Sequence, residues 1–469
     1  MKTEKKSFIK NTMIILAFNG LTLITSFLLR PLIARFIGPE QYGIFALILS
    51  TAAVIPALTL LSLNSAILYF VSKHHADKKI IGQIIFTSVS FVTASSILLF
   101  IPLLLIMPNL VAQITFWPFL VAYLLAFINV LFYIVQAVQQ GKEEFRSFSL
   151  TGFLSTFSAG VLSVGTAYFF TDATFSALWR AIGMMLIVAA AFLTLTLAGS
   201  FSKNMLKKMF RYSAPLAIGA IIGSTYAVLD RYFIARFHSL AEVGYYDVSF
   251  SLIIAILPVA TTFFTVMAPR IIRQTRSFPA YFKNVSLATC TIVTAFGLAA
   301  YYFSDIIVTL LLGSVYLPAT PMIKILALSL PFMAFFGLMA TSLNSLGKTK
   351  LCSALAILLT GAIIATNLLL TEKFGGIGAA WATFASYAFI SAIGITYFRA
   401  VHHVHIRNLA IQLALFFLFA AGYHVAFEPF GFKAKAAAYA LFLILTLYTQ
   451  RELTRAILKE LNWKALLKK

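Results

Sequence analysis

The sequence predicts an all-α polytopic membrane protein of about fourteen transmembrane helices. They are arranged as two six-helix lobes related by a pseudo-two-fold axis along the membrane normal, plus a C-terminal helix pair. Three observations predict this. Of 469 residues, 61% are hydrophobic and 11% charged, with a mean hydropathy of +0.94, which leaves too little polar surface to coat a water-soluble fold. The basic residues cluster between long apolar stretches. The stretch RPLIARFIGPEQYG, Arg30 to Gly43, returns 201 residues later as RYFIARFHSLAEVG, Arg231 to Gly244, with six of fourteen positions identical.

A bilayer core about 30 Å thick needs roughly 20 apolar residues per helix. The N-terminal MKTEKKSFIK precedes an apolar run in the manner of a signal peptide. That run is long, carries Asn19 and lacks a small-residue cleavage site, so it is read as the first helix. Spans are predicted at 13–36, 43–72, 81–106, 117–138, 148–170 and 175–198 in an N-lobe of residues 1–200. A C-lobe of residues 201–400 holds 214–236, 242–267, 285–312, 320–345, 352–371 and 377–398. The pair 408–427 and 434–450 follows, within residues 401–452. In the tail 453–469, Leu453, Ile457, Leu461 and Ala465 recur at helical spacing against a basic face. This suits an amphipathic helix on an anionic cytoplasmic leaflet, or a plain solvated tail.

Loops on the N-terminal side of the membrane hold 27 of the 36 Lys and Arg residues. The opposite loops hold five: Arg35, Arg236, Lys373, Lys433 and Lys435. A bias repeated over so many loops puts both termini in the cytoplasm and makes the net charge of +22 a topology signal, not a nucleic-acid footprint. Cys290 and Cys352, both in apolar surroundings, are read as packing residues.

Four cations remain inside the spans: Arg30, Arg180, Arg231 and Lys324. Each lies about 4 to 8 residues, or about 6 to 12 Å, from the outer end of its helix. Asp230 and Asp247 share that layer. An arginine facing lipid at mid-helix costs about 2.5 to 3.5 kcal/mol. Either these side chains snorkel to the interface, or they line a cavity that selects anions. Arg30 and Arg231, at matching sites of the repeat, would then face one another across a central cleft. Asp230 and Asp247 read as salt-bridge partners of the arginines or as a coupled proton or sodium site. Asn19, Asn64, Gln136 and Asn344 could hydrogen-bond a sugar or join neighbouring helices. Pro56 and Pro258, 202 residues apart, mark matching helix interruptions, the pattern of a transport hinge.

His402, His403 and His405 lack metal-ligand spacing and an accompanying carboxylate, and are read as a solvated basic loop. No glycine-rich phosphate loop, Ser/His/Asp set or zinc signature occurs, so neither an enzyme nor a cofactor is expected.

Four segments carry a resemblance: IARFIGPEQYGIFAL after the first span, LLGSVYLPA from Leu311, NSLGKTK from Asn344 and GGIGAAWATFASY from Gly375. Together they resemble the polysaccharide-unit exporters, the O-antigen (Wzx-type) flippases of the multidrug/oligosaccharidyl-lipid/polysaccharide exporter superfamily. The resemblance spans about residues 8 to 450. It implies a two-lobed bundle around a V-shaped cavity in the bacterial cytoplasmic membrane. By alternating access such a bundle moves an undecaprenyl-diphosphate-linked oligosaccharide from the inner to the outer leaflet. Related lipid II flippases use cations for the diphosphate. Arg30 and Arg231 match these in kind, Arg180 and Lys324 by location, and Asn19 and Asn64 join them as substrate-binding candidates. Transport would couple to protons, sodium or the membrane potential. The implied partners are the lipid-linked substrate, membrane lipids and the polymerase and chain-length proteins of glycan assembly, with a monomer as the working form. The last helix pair departs from the twelve spans many of these exporters have. Competing readings are a drug/cation antiporter of the same superfamily, a membrane glycosyltransferase or polymerase, and a non-transporting scaffold.

Overall fold

The computed structural model describes residues 2–75, 77–110, 114–195, 199–258, 278–403, 407–423 and 431–450. The tail 453–469, the end of the expected span 242–267, the end of span 408–427, and His405 lie outside the described residues. Among the described residues there are fifteen α-helices, one 3-10 turn and no strand. Apolar stretches of this length leave the backbone no alternative, because inside lipid every N–H and C=O must find its partner within the segment.

The chain divides into two compact units, Met1–Val248 and Ser249–Lys469. In the first, α1 (Lys2–Leu60) and α2 (Leu63–Lys73) are followed by α3 (Lys78–Leu110), α4 (Phe116–Gly141), α5 (Phe145–Phe170) and α6 (Ala173–Leu193). Then come α7 (Lys203–Tyr226), α8 (Leu229–Phe237) and the start of α9 (Leu240–Ile254). The second unit holds α10 (Phe278–Tyr302), α11 (Ser304–Leu311), the 3-10 turn Ser314–Ala319, α12 (Thr320–Ser345), α13 (Thr349–His402), α14 (Arg407–Gly422) and α15 (Gly431–Thr449).

Nine helices among the described residues are long and apolar enough to cross a membrane, ten if α7 and α8, bent by 42°, make one span. The two longest are each two helices joined at a glycine. In α1 the joint is Gly38 (φ 79°, ψ 168°), between the expected spans 13–36 and 43–72. This conformation is open essentially to glycine alone, and Pro39 after it suits the first position of a new helix. In α13 the joint is Gly375 (φ 57°, ψ −135°), between the expected spans 352–371 and 377–398. The α13 arms run back against each other: Thr366 Oγ1 lies 2.9 Å from Ser386 Oγ, and a Cβ on Gly378 would overlap the Leu370 carbonyl.

Local signals start the other helices. Asp172 caps α6 by accepting from the Phe175 N–H at 2.6 Å, and Ser202 caps α7 by accepting from the Met205 N–H at 3.2 Å. Small residues set the packing of α5 on α6, where Ser158 Oγ donates to the Gly183 carbonyl at 2.9 Å. Gln136 spends its amide on the Phe148 carbonyl at 3.0 Å, joining α4 to α5.

In the second unit a polar seam ties the C-terminal pair to α10. Buried Gln412 of α14 donates to Thr294 Oγ1 at 2.9 Å and to Thr446 Oγ1 of α15 at 3.3 Å. Gln450 donates to Gln412 Oε1 at 2.8 Å and accepts from Thr291. Each amide is satisfied by a neighbouring helix, as hydrocarbon requires. Cys290 and Cys352 are free cysteines, the first buried. His402 is half-buried, its ring 4.8 Å from that of Phe278 and 5.7 Å from that of Phe398, so it packs on aromatic rings, whereas a solvated loop was expected.

Candidate functional site

The repeat meets itself. Gly43 and Gly244, its two equivalent last residues, lie where the second arm of α1 crosses α9. A Cβ on Gly43 would overlap the carbonyl of Leu240, and one on Gly244 the carbonyl of Pro39, the position equivalent to Leu240. The contact is therefore reciprocal: each copy presents to the other the same pair of positions. Both copies also build the same helix–joint–helix turn by different local means. The first uses Gly38 and Pro39; the second uses extended His238 followed by Ser239, whose Oγ accepts from the Glu242 N–H at 3.3 Å.

This crossing gathers charge. Arg231 is 5% exposed, Asp230 4% and Asp247 3%. Arg231 Nε donates to Asp247 Oδ1 at 2.6 Å, and the Tyr42 hydroxyl donates to Asp247 Oδ2 at 3.1 Å. Asp247 thus accepts from both copies of the repeat. Arg231 Nη1 donates to the Ala227 carbonyl at 2.9 Å. That carbonyl stands at the break between α7 and α8, where the i to i+4 ladder is interrupted and an acceptor needs another donor. The guanidinium also lies 5.9 Å from the ring centre of Tyr246, whose hydroxyl donates to Asp230 Oδ2 at 2.6 Å. Nearby, the Tyr232 hydroxyl is 2.9 Å from Thr51 Oγ1.

Arg30 and Arg180 complete the cluster. Both are half-buried. Arg30 acts electrostatically on Asp247 and Tyr42, and Arg30 and Arg180 repel one another. The first compact unit therefore brings Arg30, Arg180, Arg231, Asp230 and Asp247 into one electrostatic neighbourhood, three guanidinium groups to two carboxylates. Inside a membrane such an excess of positive charge is costly unless an anion or water reaches it.

The remaining sequence candidates have contacts of their own. Lys324 belongs to the second unit, where its Nζ is 3.4 Å from the Tyr423 hydroxyl and 4.5 Å from the centre of that ring. Lys435 lies 5.1 Å from the same ring and 3.6 Å from Asp305 Oδ2. Asn19 is exposed on the first arm of α1, and Asn64 is half-buried in the first turn of α2. Pro56 is buried in α1, five residues before Leu61 and Ser62, whose positive φ values of 48° and 58° end that helix. Pro258 follows a turn at residues 255–256. Both prolines thus lie beside interruptions; the α7–α8 break carries no proline, so sequence reading missed it.

Tyr42 and Tyr246 were missed as well. Tyr42 stands inside the repeat but opposite Val243 in the second copy, so a comparison of identical positions passes over it. Tyr246 is marked only by its place beside Asp247. Among the described residues no group of three or more His, Cys, Asp or Glu could hold a metal.

The chain as a whole is similar to known proteins. The family model described as "Polysaccharide biosynthesis protein" matches residues 8–274. An uncharacterized membrane protein of Methanocaldococcus jannaschii, MJ1068, is 31% identical over 105 residues, 22% of this chain and 21% of that protein, so the match spans about a fifth of the relative's length. Among solved structures, the lipid II flippase MurJ in an inward closed conformation superposes with a TM-score of 0.76 at 14% identity, covering 94% of this chain and all of MurJ. An inward-facing MATE family multidrug resistance transporter of the MOP superfamily gives a TM-score of 0.62 at 14% identity over 82% of this chain and 97% of its own. A MOP superfamily transporter from Pyrococcus furiosus, described as having a binding pocket of reverse polarity, gives 0.51 at 14% identity over 83% and 93%. The chain is a multi-pass membrane protein with the fold shared by MurJ and the MATE transporters, and it belongs to the polysaccharide biosynthesis protein family.

Proposed function

We propose that this protein is a flippase that moves an undecaprenyl-diphosphate-linked oligosaccharide, the repeat unit of an O-antigen or related surface polysaccharide, from the cytoplasmic to the outer leaflet by alternating access. One observation carries the reading: at the crossing of the repeat Arg231 and Arg30 act on the buried Asp247, and Arg180 on Arg30, within one compact unit. Three guanidinium groups against two carboxylates give these five residues a positive formal charge; Asp247 is engaged by Arg231 and Tyr42, and Asp230 by Tyr246. A diphosphate brings about two negative charges to such a cluster, and a guanidinium is well shaped to hold them. Arg30 and Arg180 are the residues to contact it. Arg231, locked onto Asp247 and Ala227, positions the surrounding backbone and sets the local field.

The charge bias of the loops supports cytoplasmic termini, and the family resemblance a bacterial inner membrane. About two negative charges moving outward across an inside-negative potential of about 100 mV gain up to roughly 4.6 kcal/mol. The membrane potential alone is then a sufficient drive. Family membership and the likeness to the lipid II flippase MurJ support the same substrate class. The likeness to MATE transporters favours a second reading, a drug/cation antiporter of the same superfamily. That reading would need carboxylates to dominate the cluster.

The test is export in cells that depend on this protein for their surface glycan. Arg30→Ala abolishes export while the protein still inserts, and Arg30→Lys retains part of it. Wild-type glycan levels in an Arg30→Ala/Arg180→Ala double variant would refute the proposal.

A further inference from the structure

The first unit contains a groove of about 650 Å³ between α2 and α7, lined by none of the clustered arginines. Ser65, Tyr69, Ser72 and Lys73 line it from α2; their spacing of four, seven and eight residues places them on one helical face. Tyr212 lines it from α7. The Tyr69 and Tyr212 rings are stacked, with centroids 4.8 Å apart and planes 16° apart. Phe70 braces the stack edge-on, 5.1 Å from Tyr69 and 6.4 Å from Tyr212. Both tyrosines nevertheless remain 44% and 41% exposed.

A braced aromatic pair this exposed, with two hydroxyls and an ammonium beside it, differs from a packed helix contact. It offers a flat apolar face, rim groups that donate and accept hydrogen bonds, and one positive charge. No lining residue is acidic, and Lys207, Lys208 and Arg211 stand exposed on the adjoining turns of α7. A pyranose ring presents the complementary surface: a C–H face that packs on aromatic rings, and equatorial hydroxyls around its edge. The volume falls within the range of small-ligand sites, about 300 to 1,000 Å³.

We infer that the Tyr69/Tyr212 groove is a sugar-docking site, which receives the first sugar of a diphosphate-linked glycan with Lys73 on the diphosphate. Position along the chain supports this role. Tyr212 precedes Asp230 by about 18 residues, roughly 27 Å at 1.5 Å per residue before the bend is taken into account. The groove therefore lies near the basic, cytoplasmic face and the arginine cluster toward the other. The substrate is loaded by its sugar at one end of the path and held by its diphosphate at the other. Tyr69 and Tyr212 would select for a glycan head, a task the arginines cannot perform because a diphosphate is the same whichever glycan it bears.

This inference rests on the lipid-linked-sugar reading above. It is tested on the full-length protein in nanodiscs by measuring the binding of three probes: farnesyl-diphosphoryl-N-acetylglucosamine, farnesyl diphosphate, and UDP-N-acetylglucosamine. Tyr69→Ala and Tyr212→Ala are each expected to weaken the first probe about tenfold, as loss of one aromatic contact implies, and to leave the second unchanged. Tyr69→Trp and Tyr212→Phe, which keep an aromatic face, retain binding of the first probe. Unchanged farnesyl diphosphate binding also shows that the alanine variants are folded. Equal loss of both lipid probes, or no loss of either, would overturn the groove as a sugar site while leaving the flippase reading intact. Tyrosine-dependent binding of UDP-N-acetylglucosamine as tight as that of the first probe would overturn the lipid-linked source. Failure of the wild-type protein to bind either lipid probe would sink both readings together.

Discussion

Gly43 and Gly244 meet backbone to backbone at the crossing of α1 and α9, each excluding a Cβ because the other copy of the repeat supplies a carbonyl oxygen there. Two fourteen-residue segments 201 positions apart thus form one joint, and Tyr42 and Asp247, bonded at 3.1 Å, lie beside it. The glycines allow the close approach, and that approach lets a tyrosine from one copy share a carboxylate with an arginine from the other.

Alanine at Gly43 or Gly244 is expected to lower stability by about 1 to 3 kcal/mol, the cost of overpacking a close contact. Alanine at Gly165, which has nothing within 4 Å, should be neutral or slightly stabilising, since alanine is the better helix former. Thermal unfolding of the purified variants in detergent separates the two outcomes. Equal behaviour at Gly43 and Gly165 would mean that the crossing carries no packing energy.

Asp247→Ala should cost about 3 to 5 kcal/mol, because it leaves Arg231 charged and buried without its carboxylate. The double variant Asp247→Leu/Arg231→Leu should recover much of that loss. A double-mutant cycle on thermal stability reads the coupling directly. Additive effects of the two single variants would count against the ion pair as a unit.

Arg180 and Arg30 act on one another as like charges, which opposes folding of the cluster. Arg180→Ala is expected to leave the protein as stable as the wild type or more so, while reducing export of the lipid-linked sugar at least tenfold, about 1.4 kcal/mol of substrate interaction. Stability is read from the melting curve and export from surface glycan. A variant that loses stability and keeps export would reverse the assigned role.

Gln412→Leu removes the centre of the polar seam that joins α14 and α15 to α10 and leaves Gln450 and two threonines short of partners. A loss of about 0.6 to 1.7 kcal/mol is expected, the scale of hydrogen bonds between membrane helices. Limited proteolysis after Arg407 should then release the C-terminal pair more readily than in the wild type. Unchanged melting and unchanged proteolysis would show that the pair is held by apolar packing alone.

Much of this protein could be read from the order of its residues. The all-helical membrane class, the breaks between the spans 13–36 and 43–72 and between 352–371 and 377–398, and the family follow from hydropathy and short motifs. Those properties are set by transfer of each segment into lipid, which depends on local composition and is written along the chain. The intramembrane charges could be listed too, since Arg30, Arg180, Arg231, Lys324, Asp230 and Asp247 stand out in apolar helices. Their partners could not. That Asp247 takes Arg231 and Tyr42, that Arg231 caps a carbonyl freed by a proline-less break, and that Lys324 sits with Tyr423 in the other unit are matters of tertiary structure. So are the stacked Tyr69 and Tyr212, 143 positions apart in the sequence. The bilayer decides which segments are helices without reference to one another, whereas hydrogen bonds and ring contacts have ranges of a few ångströms and exist only once packing has chosen which helix faces meet.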